Sequence, residues 1–192
     1  PTYDSIPAWR SHDLTAISKC PFSWKHRKFN SESPALLEGR VQHTVFLEHH
    51  KFDEDFIIQP DINRRTKIGK EEYEDFLMTT GNRQPIKQEM YDVCMARREI
   101  VADFIPKESH QVELTICFMW NGQQCKGKLD WHTGTDIWDL KTCRDASPRG
   151  FKGAINSFKY HQQAAFYLAG CRAVGLPTEK FYFLAQEKPH PY

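Results

Sequence analysis

The sequence has few of the features that mark membrane, secreted or zinc-binding proteins. No apolar run approaches the roughly 18–20 residues of a membrane-spanning helix, and the N-terminus lacks a signal-peptide pattern. The six cysteines include no CxxC pair, and the nine histidines form neither H-x-x-x-H nor HExxH. These absences argue against a disulfide scaffold and a familiar zinc site. We therefore expect reduced thiols, no membrane partner and a cytoplasmic location.

A strong excess of charge of either sign is also missing. The formal net charge is +1, which argues against a uniformly basic surface but leaves room for a local cationic face that binds nucleic acid. Hydrophobic residues make up 40% of the 192 residues, enough for a sizeable core. We expect a single domain over residues 1–192, with a helical N-terminal part at about 1–106 and a catalytic sheet and helix at about 110–192.

The order of predicted elements indicates an α/β fold with a central mixed β-sheet flanked by helices. A final helix acts as a crossover that places the last strand parallel to a strand of the meander. The predicted helices cover 34–49, 85–104 and 153–174, with a loop around Pro148 and Gly150 before the last of them. The predicted strands cover 112–120, 124–131, 137–141 and 181–187.

The segment GKLDWHTGTDIWDLKT carries the most chemistry. It predicts two strands joined by a turn at Gly134, so that Asp130 comes alongside Asp139. Asp139 and Lys141 are two residues apart and share one face of their strand. Paired carboxylates beside a lysine suit hard cations such as Mg²⁺ or Mn²⁺. The hairpin alone is also compatible with a solvated strand face on which Asp130 closes a turn.

Five segments follow one another in a characteristic order. They are LTAISKCPFSWKHRKF, LLEGRVQHTVFLEHHKF, IIQPDINRRTKIGKEEYEDF, GKLDWHTGTDIWDLKT and YHQQAAFYLAG. Together they resemble the PD-(D/E)xK nuclease superfamily, and within it the RecE-type branch, exodeoxyribonuclease VIII, which is related to phage λ exonuclease and the RecB nuclease domain. The resemblance covers nearly the whole chain, and it implies a restriction-endonuclease-like core.

The resemblance implies a role for each matched residue. His43, Asp130, Asp139 and the backbone carbonyl of Leu140 would bind a divalent cation, and Lys141 would polarise the attacking water. Further roles fall on Glu113 at a second metal position, on Gln163 close to the site, and on Tyr160 and Tyr167 along the same helix face. A basic stretch at Arg64, Arg65 and Lys67 would grip phosphates, although a solvated charge run explains it equally well.

The activity implied is a 5′→3′ exonuclease on double-stranded DNA that leaves 3′ single-stranded tails for recombination. Two Mg²⁺ or Mn²⁺ ions per site, a ring-like homotrimer or homotetramer, a single-strand annealing partner and a bacterial or phage-infected cell are implied as well. No iron–sulfur cluster is expected, because Cys20 is followed downstream by no closely spaced trio of cysteines. Alternatives are an endonuclease or single-strand nuclease of this superfamily, and a catalytically idle module that binds DNA.

Overall fold

A computed structural model describes residues 3–26, 33–105 and 111–188 of the chain. The described residues divide into two compact units. One contains residues 3–26, 104–105 and 111–188, and the other contains residues 33–103. The single-domain organisation expected from the sequence stays a prediction.

A four-stranded mixed sheet forms the centre of the first unit. Its four strands lie side by side in chain order; the first three form an antiparallel meander, and the last is parallel to its neighbour. The strands are β3 (Gln111–Trp120), β4 (Gln123–His132), β5 (Asp136–Cys143) and β6 (Lys180–Glu187). The helices are α1 (Ser11–Lys19), α2 (Pro21–Lys25), α7 (Pro148–Phe158) and α8 (Tyr160–Ala173). This arrangement confirms the predicted mixed α/β fold, including the parallel final strand.

Two glycines let α8 lie close against the meander. A Cβ on Gly170 would come within 2.5 Å of Phe118 Cε1, and one on Gly127 within 2.9 Å of Tyr167 Cε1. Only a hydrogen at Cα fits such an approach. The core at this contact is apolar and consists of Ile116, Phe118, Cys125, Leu129, Ile137, Phe166, Tyr167 and Cys171.

The helix predicted over residues 153–174 is wrong in two respects. It begins earlier, because Ser147 caps α7 through a hydrogen bond from Gly150 N to Ser147 Oγ (3.1 Å), so Pro148 and Gly150 lie in the first helical turn and not in a loop. It also breaks at Lys159, which adopts the left-handed conformation at φ 59° and ψ 36°. The break separates α7 from α8 and turns the chain between them.

The second unit is mainly helical, with one short parallel ladder. Buried Arg97 donates hydrogen bonds to Glu38 (2.7 Å) and Gln42 (3.3 Å), and these bonds join the last helix of the unit to the first. The helices are α3 (Pro34–Leu47), α4 (Phe52–Asp55), α5 (Lys67–Thr79) and α6 (Gln88–Val101). The strands are β1 (Phe56–Ile58) and β2 (Gln84–Ile86), and 3₁₀ turns cover His49–Lys51 in this unit and Ala102–Phe104 where the units join.

Pro85 does not open a helix, contrary to the prediction from the sequence. It lies in β2, opposite Ile57 of β1, and α6 begins three residues later at Gln88. Proline favours the first turn of a helix, but it also drives the preceding residue towards extended backbone. Here the extended alternative wins because the neighbouring Ile86 is buried at 2% exposure.

Among the described residues, no helix combines the length and apolar character that crossing a bilayer would require.

The close approach of α8 predicts opposite effects for two glycine-to-alanine changes. Gly170→Ala should lower the free energy of unfolding by about 1–3 kcal/mol, because the new methyl group meets the packed ring of Phe118. Gly153→Ala in α7 is the matched control: no atom lies within 4 Å of its Cβ, and it should raise stability by about 1 kcal/mol. Urea denaturation of both variants measures these changes in the free energy of unfolding. Equal effects of the same sign would contradict the packing described here.

Candidate active site

Three carboxylates lie in register across three neighbouring strands. Val112 pairs with Trp131 and Leu114 with Leu129, which puts Glu113 of β3 opposite Asp130 of β4. The β4–β5 ladder pairs His132 with Ile137 and Trp131 with Trp138, and continuing that register puts Asp130 opposite Asp139. Regular backbone pairing is absent at both carboxylate positions. Glu113, Asp130 and Asp139 form what we call the acidic row.

A hydrogen bond from the backbone fixes the middle of the acidic row. Leu140 N donates to Asp130 Oδ2 at 2.7 Å. The carboxylate thus takes the place of the backbone carbonyl that a regular β4–β5 ladder would offer to this N–H. Asp130 is 6% exposed and Asp139 1% exposed. The sequence-based expectation that the hairpin brings these two aspartates together agrees with this geometry.

The environment of Asp130 disfavours its charge. Burial raises the pKa of Asp130 from 3.8 to about 6, although Lys141 and the Leu140 N–H both act to lower it, and Glu113 raises it further. A buried carboxylate flanked by two others is stable only when a proton or a cation compensates its charge. The acidic row therefore has the electrostatics of a cation site built from oxygen ligands.

Lys141 supplies a fixed positive charge beside the acidic row. Its ammonium group is paired with Asp139 and lies 5.0 Å from the centroid of the Tyr160 ring. Burial acts to lower the pKa of Lys141, but the carboxylates of Asp139 and Asp130 outweigh it, and the pKa is raised. Lys141 is therefore held as a cation with only 14% of its side chain exposed. Burial also raises the pKa of the Tyr160 hydroxyl.

Gln163 on α8 contacts the acidic row directly. Its Nε2 donates to Asp139 Oδ1 and to the Tyr167 hydroxyl, both at 3.3 Å. Tyr167 is buried in the core, where burial raises its pKa to about 12. The neighbouring Gln162 instead accepts a hydrogen bond from Thr15 Oγ1 of α1 at 3.0 Å. Of the two glutamines, Gln163 is the one at the site.

Glu113 has an unusual backbone conformation for a strand residue. Its φ is 53°, in the left-handed region that costs a residue with a side chain about 1–2 kcal/mol. Its carboxylate pairs with Lys128, which lies two residues before Asp130 on β4. Lys128 was not among the predicted site residues, although residues two apart on a strand share a face and this spacing could have identified it. No sequence signal marks the strained backbone of Glu113.

The remaining predicted site residues belong to the second unit. His43 is half-buried on α3. The Arg64 guanidinium stacks on Tyr73 at 4.4 Å, and Arg65 donates its backbone N–H to Asn63 Oδ1 at 3.2 Å. Lys67 is the first residue of α5, and it is paired with Glu71 at 3.8 Å. Their roles in metal and phosphate binding stay predictions.

A family comparison identifies the domain that contains these residues. The profile of a "PDDEXK-like domain of unknown function (DUF3799)" matches residues 13–192. The chain belongs to this PDDEXK-like family. The match spans both units and includes every residue of the acidic row together with Lys141 and Gln163. No curated protein matches the chain.

One solved structure shares the fold of this PDDEXK-like protein. It is a crystal structure described as a "putative exonuclease" from Eubacterium rectale, with a TM-score of 0.59 and 18% sequence identity. The match covers 98% of this chain and 64% of that one, so the present chain spans less than two thirds of its neighbour's length. The likeness shows a shared fold.

The raised pKa of Asp130 predicts a specific pH dependence of stability. Between pH 3.8 and about 6 the folded protein holds a proton that the unfolded chain has lost, so its free energy of unfolding falls as pH rises through this window. The deficit above the window is about 3 kcal/mol. Asp130→Asn removes the charge and keeps an oxygen acceptor for Leu140 N. In EDTA it should be more stable than the native chain at pH 8, with the difference shrinking towards pH 4.

Urea denaturation at both pH values measures this difference. Asp136→Asn, at the start of β5, controls for the loss of a carboxylate from the same hairpin. Parallel stability–pH curves for the native chain and Asp130→Asn would show that burial of Asp130 carries no electrostatic penalty.

Proposed function

We propose that this PDDEXK-like protein is a metal-dependent deoxyribonuclease that hydrolyses phosphodiester bonds. The observation that carries the proposal is the buried acidic row beside the fixed cation of Lys141. A phosphodiester is an anion that resists attack by water, so hydrolysis requires charge neutralisation and an aligned nucleophile. Carboxylates with a lysine at their edge provide ligands for a cation and a positive charge of the protein's own.

The residues present fit a divalent cation. The side-chain donors of the acidic row are all carboxylate oxygens, which favours Mg²⁺ or Mn²⁺ over softer metals. We assign Asp130 and Asp139 as ligands, with the Leu140 carbonyl, Glu113 and His43 as further ligands and with two ions per site. A bound cation neutralises negative charge and makes water more acidic.

Lys141 and Gln163 have separate roles in the proposed reaction. Lys141 remains charged beside Asp139, so its ammonium can stabilise the extra negative charge that develops on the phosphoryl oxygens. Gln163 fixes the orientation of Asp139 through its amide N–H and is itself held by Tyr167. It is therefore a positioning residue, whereas Lys141 is a candidate catalytic residue.

The finer proposal is a RecE-type 5′→3′ exonuclease on double-stranded DNA that leaves 3′ single-stranded tails for recombination. Its support is the resemblance of five ordered segments and the name of the fold neighbour. Arg64, Arg65 and Lys67 are its proposed phosphate contacts, and Tyr160 and Tyr167 are further proposed DNA-binding residues. Tyr167 is only 7% exposed and accepts a hydrogen bond from Gln163, so any part it has in binding runs through Gln163. A ring-like homo-oligomer and an annealing partner belong to the same proposal. An idle DNA-binding module is disfavoured because the acidic row, Lys141 and Gln163 are all in place.

Digestion of defined DNA substrates tests the proposal. With Mg²⁺ or Mn²⁺, the purified chain should shorten linear duplex DNA, release a 5′-end label before a 3′-end label, and leave closed circles intact. EDTA should abolish digestion. Cleavage of closed circles would support an endonuclease, and a preference for unpaired substrate would support a single-strand nuclease. DNA binding without digestion would favour the idle module.

Two variants separate cation binding from chemistry. Asp139→Asn should reduce the rate by several orders of magnitude and also reduce the rise in melting temperature that Mn²⁺ produces. Lys141→Ala should retain most of the Mn²⁺-induced rise, because every carboxylate ligand stays in place, yet lose about a hundred- to a thousandfold in turnover, because it removes a positive charge beside the reacting phosphate. Lys180→Ala, exposed on β6, is the matched lysine control. A Lys141→Ala protein with native turnover would remove this lysine from the mechanism.

A further inference from the structure

A groove in the first unit runs beside the candidate active site. It lies between α1 and the α7–α8 junction and has a volume of about 460 Å³. This is enough for a nucleotide-sized group. The groove is lined by Ser11, His12, Thr15, Ala16, Lys19, Phe158, Lys159, Tyr160, Gln163 and Tyr167.

An aromatic pair, exposed Phe158 and half-buried Tyr160, forms part of the groove lining. The Phe158 ring stacks on Tyr160 with centroids 5.5 Å apart and an interplanar angle of 23°. Tyr160 is anchored in turn by Phe151 at 6.2 Å and by Phe183 at 5.8 Å. Phe158 remains 66% exposed. An anchored aromatic ring with most of its surface in water is a ready surface for another planar ring.

The charges that line the groove suit a polyanion. Lys19 and Lys159 are exposed cations in the lining, and none of the described lining residues is acidic. The left-handed conformation of Lys159 places this cation at the break between α7 and α8, directly next to Phe158 in the chain. The groove thus combines a stacking surface with positive charge, as proteins that bind single-stranded nucleic acids do.

The groove is connected to the acidic row through two of its lining residues. The Tyr160 ring lies against the Lys141 ammonium at 5.0 Å, and Gln163 donates to Asp139. A strand lying in the groove would therefore have a phosphodiester within reach of the proposed catalytic residues.

We infer that this groove binds unpaired nucleotides of a DNA strand, with Phe158 stacking on a base and with Lys19 and Lys159 contacting phosphates. The inference rests on the proposed function for the identity of the strand as substrate, but binding itself requires no hydrolysis. It adds a substrate subsite at a helix junction, outside the acidic row.

The test uses the full chain in EDTA, so that binding is measured without cleavage. The probe is a single-stranded oligodeoxynucleotide of about ten nucleotides with 2-aminopurine at its end, followed by fluorescence anisotropy and by quenching of the 2-aminopurine. Phe158→Ala should weaken binding about tenfold and relieve the quenching, because one base–aromatic stack is lost. Phe158→Trp should retain both signals.

Matched controls come from the same unit. Phe22→Ala removes a phenylalanine that is 73% exposed on α2 and lies outside the groove, so it should leave both signals unchanged. Lys19→Gln should lower the slope of log affinity against log salt by about 0.7, whereas Lys25→Gln, outside the groove, should not.

The outcomes distinguish this subsite from the nuclease proposal. Native binding and quenching by a well-folded Phe158→Ala protein would overturn the subsite, even if the native chain digests DNA. Loss of both signals in Phe158→Ala, with Phe22→Ala unaffected, would support the subsite, even if digestion fails.

Discussion

Burial of Asp130 between two other carboxylates is the constraint on which the first unit depends. A charge of this kind is unfavourable in an apolar interior unless groups around it compensate. Here three contacts offset part of the cost: Leu140 N donates to Asp130, Lys141 pairs with Asp139, and Lys128 pairs with Glu113. Burial still outweighs them, and the pKa of Asp130 remains raised. The β4–β5 ladder is interrupted where the Asp130 carboxylate accepts the Leu140 N–H in place of a backbone carbonyl. Regular backbone pairing within the meander is therefore absent at the positions that carry the three carboxylates.

The hairpin could be predicted because its signals are local. Alternation along each strand and the freedom of Gly134, which has φ 91°, specify the turn, and the turn fixes the opposition of Asp130 and Asp139. The helix junction could not be predicted in the same way. Lys159 adopts a left-handed conformation without the glycine or asparagine that usually marks one. The helix start predicted at Pro85 was wrong for a different reason, because the local preference of proline fits both a helix start and an extended strand.

Family membership and site geometry support each other at different levels. The family match establishes the PDDEXK-like domain and carries no activity in its description, while the fold neighbour contributes a shared architecture at low identity. The chemistry therefore has to be argued from side chains. Asp130, Asp139, Lys141 and Gln163 all come from the first unit, where Asp139 pairs with Lys141 and accepts a hydrogen bond from Gln163. The metal and phosphate roles of His43, Arg64, Arg65 and Lys67 rest on the sequence resemblance.

The two glycines at the contact between α8 and the sheet have a consequence for how this site can change over evolution. Gly127 and Gly170 act as spacers that set the depth at which the helix seats on the sheet. Gln163 is carried on that helix two turns before Gly170, so its reach to Asp139 follows from the seating depth. Alignment of the acidic row is therefore governed in part by two residues that have no functional group at all. A larger residue at either glycine position would push α8 away from the sheet and move Gln163 with it. A smaller side chain in place of the opposing ring, Phe118 or Tyr167, would then be needed to restore the spacing.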